Sequence, residues 1–150
     1  MAWVYDDGGR AAADFKGSAR DCVARAVAIA SGRPYAEVYA ALAAGAGSER
    51  KSKGATARNG IHTGRKWFKD FMRSIGFAWT PTMQIGSGCK VHLRADELPA
   101  GRLVVAVSKH SVAVVDGVAH DTHDPTRGGT RCVYGYWTGA AIAKAAGGGS

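Results

Sequence analysis

Long apolar runs are missing from this 150-residue chain. No window holds the roughly 18 consecutive apolar residues that a membrane-crossing helix needs. Met1 to Asp7 offers neither a basic n-region nor an apolar h-region, so no secretory leader is expected. Cysteine is scarce: Cys22, Cys89 and Cys132 lie far apart and are odd in number. A secreted disulfide framework uses an even, denser set, so a reducing, cytoplasmic setting and at least one free thiol are expected. Acidic residues are few as well. Twelve Asp and Glu against twenty Lys and Arg leave a net charge of +8, which permits an anionic partner without requiring one. With 46% hydrophobic and 21% charged residues, the composition is that of a folded chain rather than a disordered one. There is no internal repeat, and the length suits a single domain over residues 1–150.

Helical signals fill the first half. Ser18 to Asp21 forms a capping box, in which a hydroxyl and a carboxylate three residues on satisfy free helix N–H groups. The Ala- and Val-rich run to Ile29 follows, and Ser31-Gly32 closes a helix over 18–31. Pro34 suits the first turn of a second helix. Tyr35, Val38, Tyr39 and Leu42 recur at helical spacing, and Gly45 to Gly47 are expected to stop it. Residues 45–60 carry almost no large apolar side chain and read as a mobile basic loop. A third helix from about Thr63 to Ser74 buries Trp67, Phe68, Phe71, Met72 and Ile75.

The second half reads as strands. Arg102 to Ser108 and His110 to Val115 are apolar runs, Asp116-Gly117 is a two-residue hairpin turn, and Val118 to Thr122 returns. Arg131 to Trp137 alternates as a further antiparallel strand, and the Gly-rich tail, 139–150, is expected to fray. Helices first and strands second give an α+β fold, N-terminal helices packed on a C-terminal antiparallel sheet.

The chemistry gathers on three residues. Cys22 lies in the first turns of its helix, where free N–H groups and positive partial charge favour a thiolate, with Arg20 and Arg25 close by. With Asp116-Gly117 as the turn, Val115 pairs with Val118, so His110 faces His123 and Val112 faces Asp121. Side chains alternate with period two. His110, Asp121 and His123 therefore share a face, with His110 and Asp121 diagonal neighbours about 7–8 Å apart at the backbone. An imidazole oriented by a carboxylate is the result.

Asp21-Cys22 opening a helix, Lys109-His110 opening a strand, Val-Val-Asp-Gly, and a return strand ending in His120-Asp121-Thr122 resemble the papain-like cysteine peptidase superfamily, in particular its bacteriocin-processing, C39-like branch. More loosely, the chain resembles small proteins of tailed phages and prophages. The resemblance spans about residues 16–125. It implies a papain-like domain that cuts a peptide, isopeptide or related amide bond, with Cys22 as nucleophile, His110 as general base and acid, and Asp121 as the orienting group. An acyl acceptor other than water would make it an acyltransferase. That superfamily places a Gln several residues before the Cys as an oxyanion-hole donor. The only Gln here is Gln84, so Lys16, Ser18 or the Cys22 backbone N–H are the candidates for that part.

Two rival readings draw on other residues. Cys89, His92, His120 and His123 have the composition of a zinc set, but a regular strand points His120 and His123 to opposite faces, and no metal or other cofactor is expected. Between Arg50 and Arg73 lie eight basic residues, Arg50, Lys51, Lys53, Arg58, Arg65, Lys66, Lys69 and Arg73, and one acid, Asp70. This stretch predicts weak, salt-dependent binding of anions. It serves either a small basic nucleic-acid-binding protein with structural Cys and His, or an enzyme that recruits an acidic segment of a peptide or protein substrate.

Overall fold

The computed structural model describes residues 1–9, 22–47, 65–83, 86 and 88–139. Its helices are α1 (Cys22–Ser31), α2 (Tyr35–Gly47) and α3 (Lys66–Ser74). Its strands are β1 (Trp3–Tyr5), β2 (Ala78–Pro81), β3 (Arg102–Val107), β4 (His110–Val115), β5 (Val118–Asp121) and β6 (Val133–Thr138). The six strands form one sheet in the order β1-β5-β4-β3-β6-β2. The fold is therefore α+β. The sheet departs from the expected all-antiparallel one, because β1 joins the edge of β5 in parallel. Trp3 to Tyr5 gave no sequence signal: three exposed residues with no alternation carry too little pattern to mark a strand. The capping box at 18–21, the loop at 48–60 and the tail at 140–150 lie outside the described residues.

Period-two alternation divides the core between the two faces of the sheet. Val104, Ala113 and Trp137 face the helices, where they meet Val23, Val27, Leu42, Phe68 and Met72. Leu103, Val105, Val107, Val112, Val114 and Val133 fill the other face with Leu93 and Leu98. Small residues dominate where α1 meets β4. Ala24, Ala28 and Ala113 are all buried, so the helix backbone lies close to the strand. The Arg102 guanidinium donates to the Ile29 carbonyl (3.1 Å), pinning the end of α1 beside the end of β4. The α1 helix thus runs in the same sense as β4, and their first residues, Cys22 and His110, arrive at the same end of the sheet.

The described part of α2 ends at Gly47, within the expected Gly45 to Gly47 stretch, with Gly45 itself inside the helix. Gly45 is needed there for packing: the Trp67 ring of α3 lies where a Gly45 Cβ would sit. Gly in a helix interior normally costs up to about 1 kcal/mol against Ala, so an ordinary Gly→Ala change stabilises. Here the sign reverses. Gly45→Ala is expected to destabilise by about 1–3 kcal/mol, the usual cost of overpacking, read as a lowered melting temperature in a calorimetric scan.

The cysteines also differ from expectation. Cys89 and Cys132, separated by 43 positions, are paired as a disulfide with Cα atoms 5.8 Å apart, and Cys22 is free. Backbone bonds from Leu93 to Arg131 and from Val133 to Val91 (both 2.8 Å) bring the two segments together, a long-range contact no spacing rule reveals. The paired cysteines remove the ground on which a reducing compartment was expected. Among the described residues no helix is long and apolar enough to cross a membrane.

Candidate active site

The site forms where α1, β4 and β5 meet. Cys22 opens α1, His110 opens β4 and Asp121 ends β5. The hairpin turn fixes the relation between the last two. Asp116 and Gly117 both have positive φ (48° and 81°), the conformation of a tight primed turn, and Val115 pairs with Val118 as the sequence register requires. His110 and Asp121 consequently meet: imidazole Nε2–H donates to Asp121 Oδ2 at 2.6 Å. The other carboxylate oxygen accepts the Thr122 backbone N–H at 2.7 Å, and the Arg25 guanidinium stands 3.9 Å from it. With Nε2 engaged, Nδ1 is the nitrogen left for Cys22, whose thiol is within hydrogen-bonding reach of the ring.

Burial alone pushes the Cys22 thiol up. The hydrogen bond and charge of His110, the Ser111 backbone N–H and the charge of Arg25 outweigh it and hold the thiol below its ordinary value. Burial likewise disfavours a charged His110, yet its bonds to Asp121 and Cys22 push it up to about 9. Asp121, 3% exposed, is held below the carboxylate range: His110, the Thr122 N–H and His123 overcome its desolvation. The three shifts share one meaning. All three favour a thiolate–imidazolium pair backed by a carboxylate, the state in which sulfur is nucleophilic and the ring has a proton to give.

Three further residues surround the expected three. His123, expected on the same face, tilts against His110 with ring centroids 5.2 Å apart and Nδ1 3.9 Å from Asp121. Ser111 contributes its backbone to the thiol, and its adjacency to His110 was the available signal. Arg131 is buried and donates to the Ser108 carbonyl (2.6 Å) and the Pro125 carbonyl (3.4 Å). Nothing in the linear sequence ties it to these two loops.

Ser111 also lines a cavity of about 250 Å³ with Phe68, Trp79, Val104, Ala106 and Trp137. Its walls interlock. The Trp79 and Trp137 rings lie 5.2 Å apart, and Phe68 meets Trp137 edge-on at 6.1 Å. Lys69 also lines it. Of the expected anion-binding residues on and before α3, Lys66 and Arg73 pair with Asp70 (2.7 and 3.4 Å), and Arg65 precedes the helix. Arg50, Lys51, Lys53 and Arg58 lie outside the described residues, as do the oxyanion candidates Lys16 and Ser18, and Gln84.

The four residues of the zinc reading do not converge: Cys89 is in the disulfide, His92 bonds Glu97 (3.2 Å) and His120 bonds Asp6 (3.2 Å). The side chains among the described residues that could hold a metal ion are instead His110, Asp121 and His123, whose ligand atoms lie within 4.8 Å of one another. No protein-family model, curated protein or solved structure matches the chain.

Proposed function

We propose that this chain is a papain-like cysteine hydrolase that cleaves a peptide, isopeptide or related amide bond. The observation that carries the reading is the Nε2–Asp121 bond of His110, which leaves the opposite ring nitrogen for the thiol at the start of α1. In this reading the Cys22 thiolate adds to the substrate carbonyl. His110 then delivers its proton to the leaving amine as the C–N bond breaks, giving an acyl-enzyme. His110, now neutral, takes a proton from water, whose oxygen adds to the acyl carbon; the C–S bond breaks, the acid leaves and the thiolate–imidazolium pair is restored. Asp121 keeps the ring in place and stabilises its cationic form throughout. An amine in place of water would give acyl transfer by the same steps.

The cavity beside Ser111 suits an apolar side chain of the substrate, and Lys69 on its wall suits an acidic neighbour. The nucleic-acid alternative has less support. Asp70 pairs with two of the basic side chains of α3, and the Cys and His expected to be structural are joined in one polar constellation instead.

The test is the rate of iodoacetamide alkylation against pH on unreduced protein, in which the Cys89–Cys132 pair does not compete. Cys22 alone is expected to be labelled, with a midpoint well below the ordinary thiol value of about 8.5. A midpoint at that ordinary value sinks the assignment.

A further inference from the structure

Two loops bracket the His110–Asp121 pair. One is the Ser108-Lys109 turn that delivers His110; the other is the segment from Thr122 to Pro125 that follows Asp121. Lys109 holds φ at +54°, a left-handed conformation that a non-glycine side chain adopts only when its surroundings impose it. The Arg131 guanidinium lies between the loops. It is 8% exposed and donates one N–H to Ser108, two residues before His110, and another to Pro125, four residues after Asp121. Its Nε is buried without a hydrogen-bond partner. A buried cation with an unpaired donor is a standing desolvation penalty, and a purely apolar residue at this place would avoid it. The fork geometry, which reaches two carbonyls from one rigid plane, is something only Arg supplies.

We propose that Arg131 is the positioning residue of the site: by tying the turn before His110 to the loop after Asp121, it sets the approach of imidazole to carboxylate and so the activation of Cys22. This rests on the cysteine-hydrolase reading for its functional meaning. The geometric part, that the His110–Asp121 bond depends on Arg131, stands apart from it. Arg131 touches neither thiol nor substrate in this account; it acts through His110 and Asp121.

The experiment compares wild type, Arg131→Lys and Arg131→Ala by two readouts, each taken below the melting temperature of the variant. The first is the proton NMR signal of His110 Nε2–H, which a short bond to a carboxylate moves far downfield. The second is the iodoacetamide rate of Cys22 at a pH at least one unit below the wild-type midpoint. Arg131→Ala is expected to lose the downfield signal and to slow alkylation about tenfold, the factor that one unit of thiol midpoint represents. Lys keeps the charge and one donor but cannot span both carbonyls, so Arg131→Lys falls between. If Arg131→Ala does not fold, Arg131→Lys decides alone: a weakened signal and a slower rate support the proposal. A folded variant with the wild-type signal and rate overturns it, whatever its melting temperature. If wild-type Cys22 itself alkylates at an ordinary rate, the hydrolase reading fails, and the NMR arm still decides the role of Arg131.

Discussion

Replacing Cys22 by alanine is expected to abolish amide hydrolysis, a loss on the order of ten-thousand-fold or more, because no other group can form the acyl-enzyme. Thermal stability is expected to change little, since Cys22 is half-buried and alanine suits both the helix and its small-residue surroundings. A structural cysteine gives the reverse: lost stability and unchanged activity. Hydrolysis assayed with a peptide library, alongside a thermal scan, separates the two. The pH profile of the wild type follows from the ion pair. Activity rises as the thiol ionises, below its ordinary value, and falls as His110 loses its proton at about 9. The linkage to stability has a definite sign. His110, raised to about 9, contributes stability that is present in full below the ordinary imidazole value of 6.5 and is lost as pH rises through about 9. Cys22, held below its ordinary value, contributes in the opposite sense: its share appears as pH rises through its folded value and is complete at the ordinary thiol value.

The second large effect belongs to Asp121. Its two oxygens have separate partners, His110 on one and the Thr122 N–H on the other. Asp121→Ala leaves a buried imidazolium and the half-sequestered Arg25 without their shared counter-charge. Breaking a buried pair in this way costs about 3–5 kcal/mol. Activity is expected to fall roughly a hundredfold, at the low end of what proton transfer contributes, because Asp121 orients rather than reacts. Asp121→Asn is not neutral either. An amide has one acceptor oxygen, so if it serves His110 its NH2 confronts the Thr122 N–H, and an unmet donor there costs about 1–3 kcal/mol. The expected order of stability, read by denaturant midpoints, is wild type, Asn, then Ala. Equal midpoints for all three contradict the two-partner arrangement.

Much of the site was legible because its central pair is local. An Asp-Gly turn has one favoured geometry, and period-two alternation then places His110, Asp121 and His123 with no further information. The apolar stripe of α3 was readable for the same reason, its spacing being helical. What escaped was non-local or too short. Strand β1 has three residues and takes its conformation from β5. Gly45 read as part of a helix end, and its close packing against the Trp67 ring gave no sequence signal. Arg131 and the Cys89–Cys132 pair depend on contacts across the chain that no residue spacing encodes.

The order in which these contacts close has its own consequence. His110 and Asp121 are separated by 11 positions and belong to one hairpin, so little loop entropy opposes their meeting. Cys22 belongs to a helix that reaches them only by docking across β4, from the far end of the sequence. Loop-closure entropy weighs against contacts of high sequence separation, so the hairpin pair is expected to close before the helix docks. A nascent or half-assembled molecule therefore carries the histidine and carboxylate already joined, with a thiol that is still ordinary. Under the proposed hydrolase reading, sulfur is then expected to become reactive only when the helix seats, which confines the nucleophile to the finished protein and spares the unfinished one from attacking its surroundings.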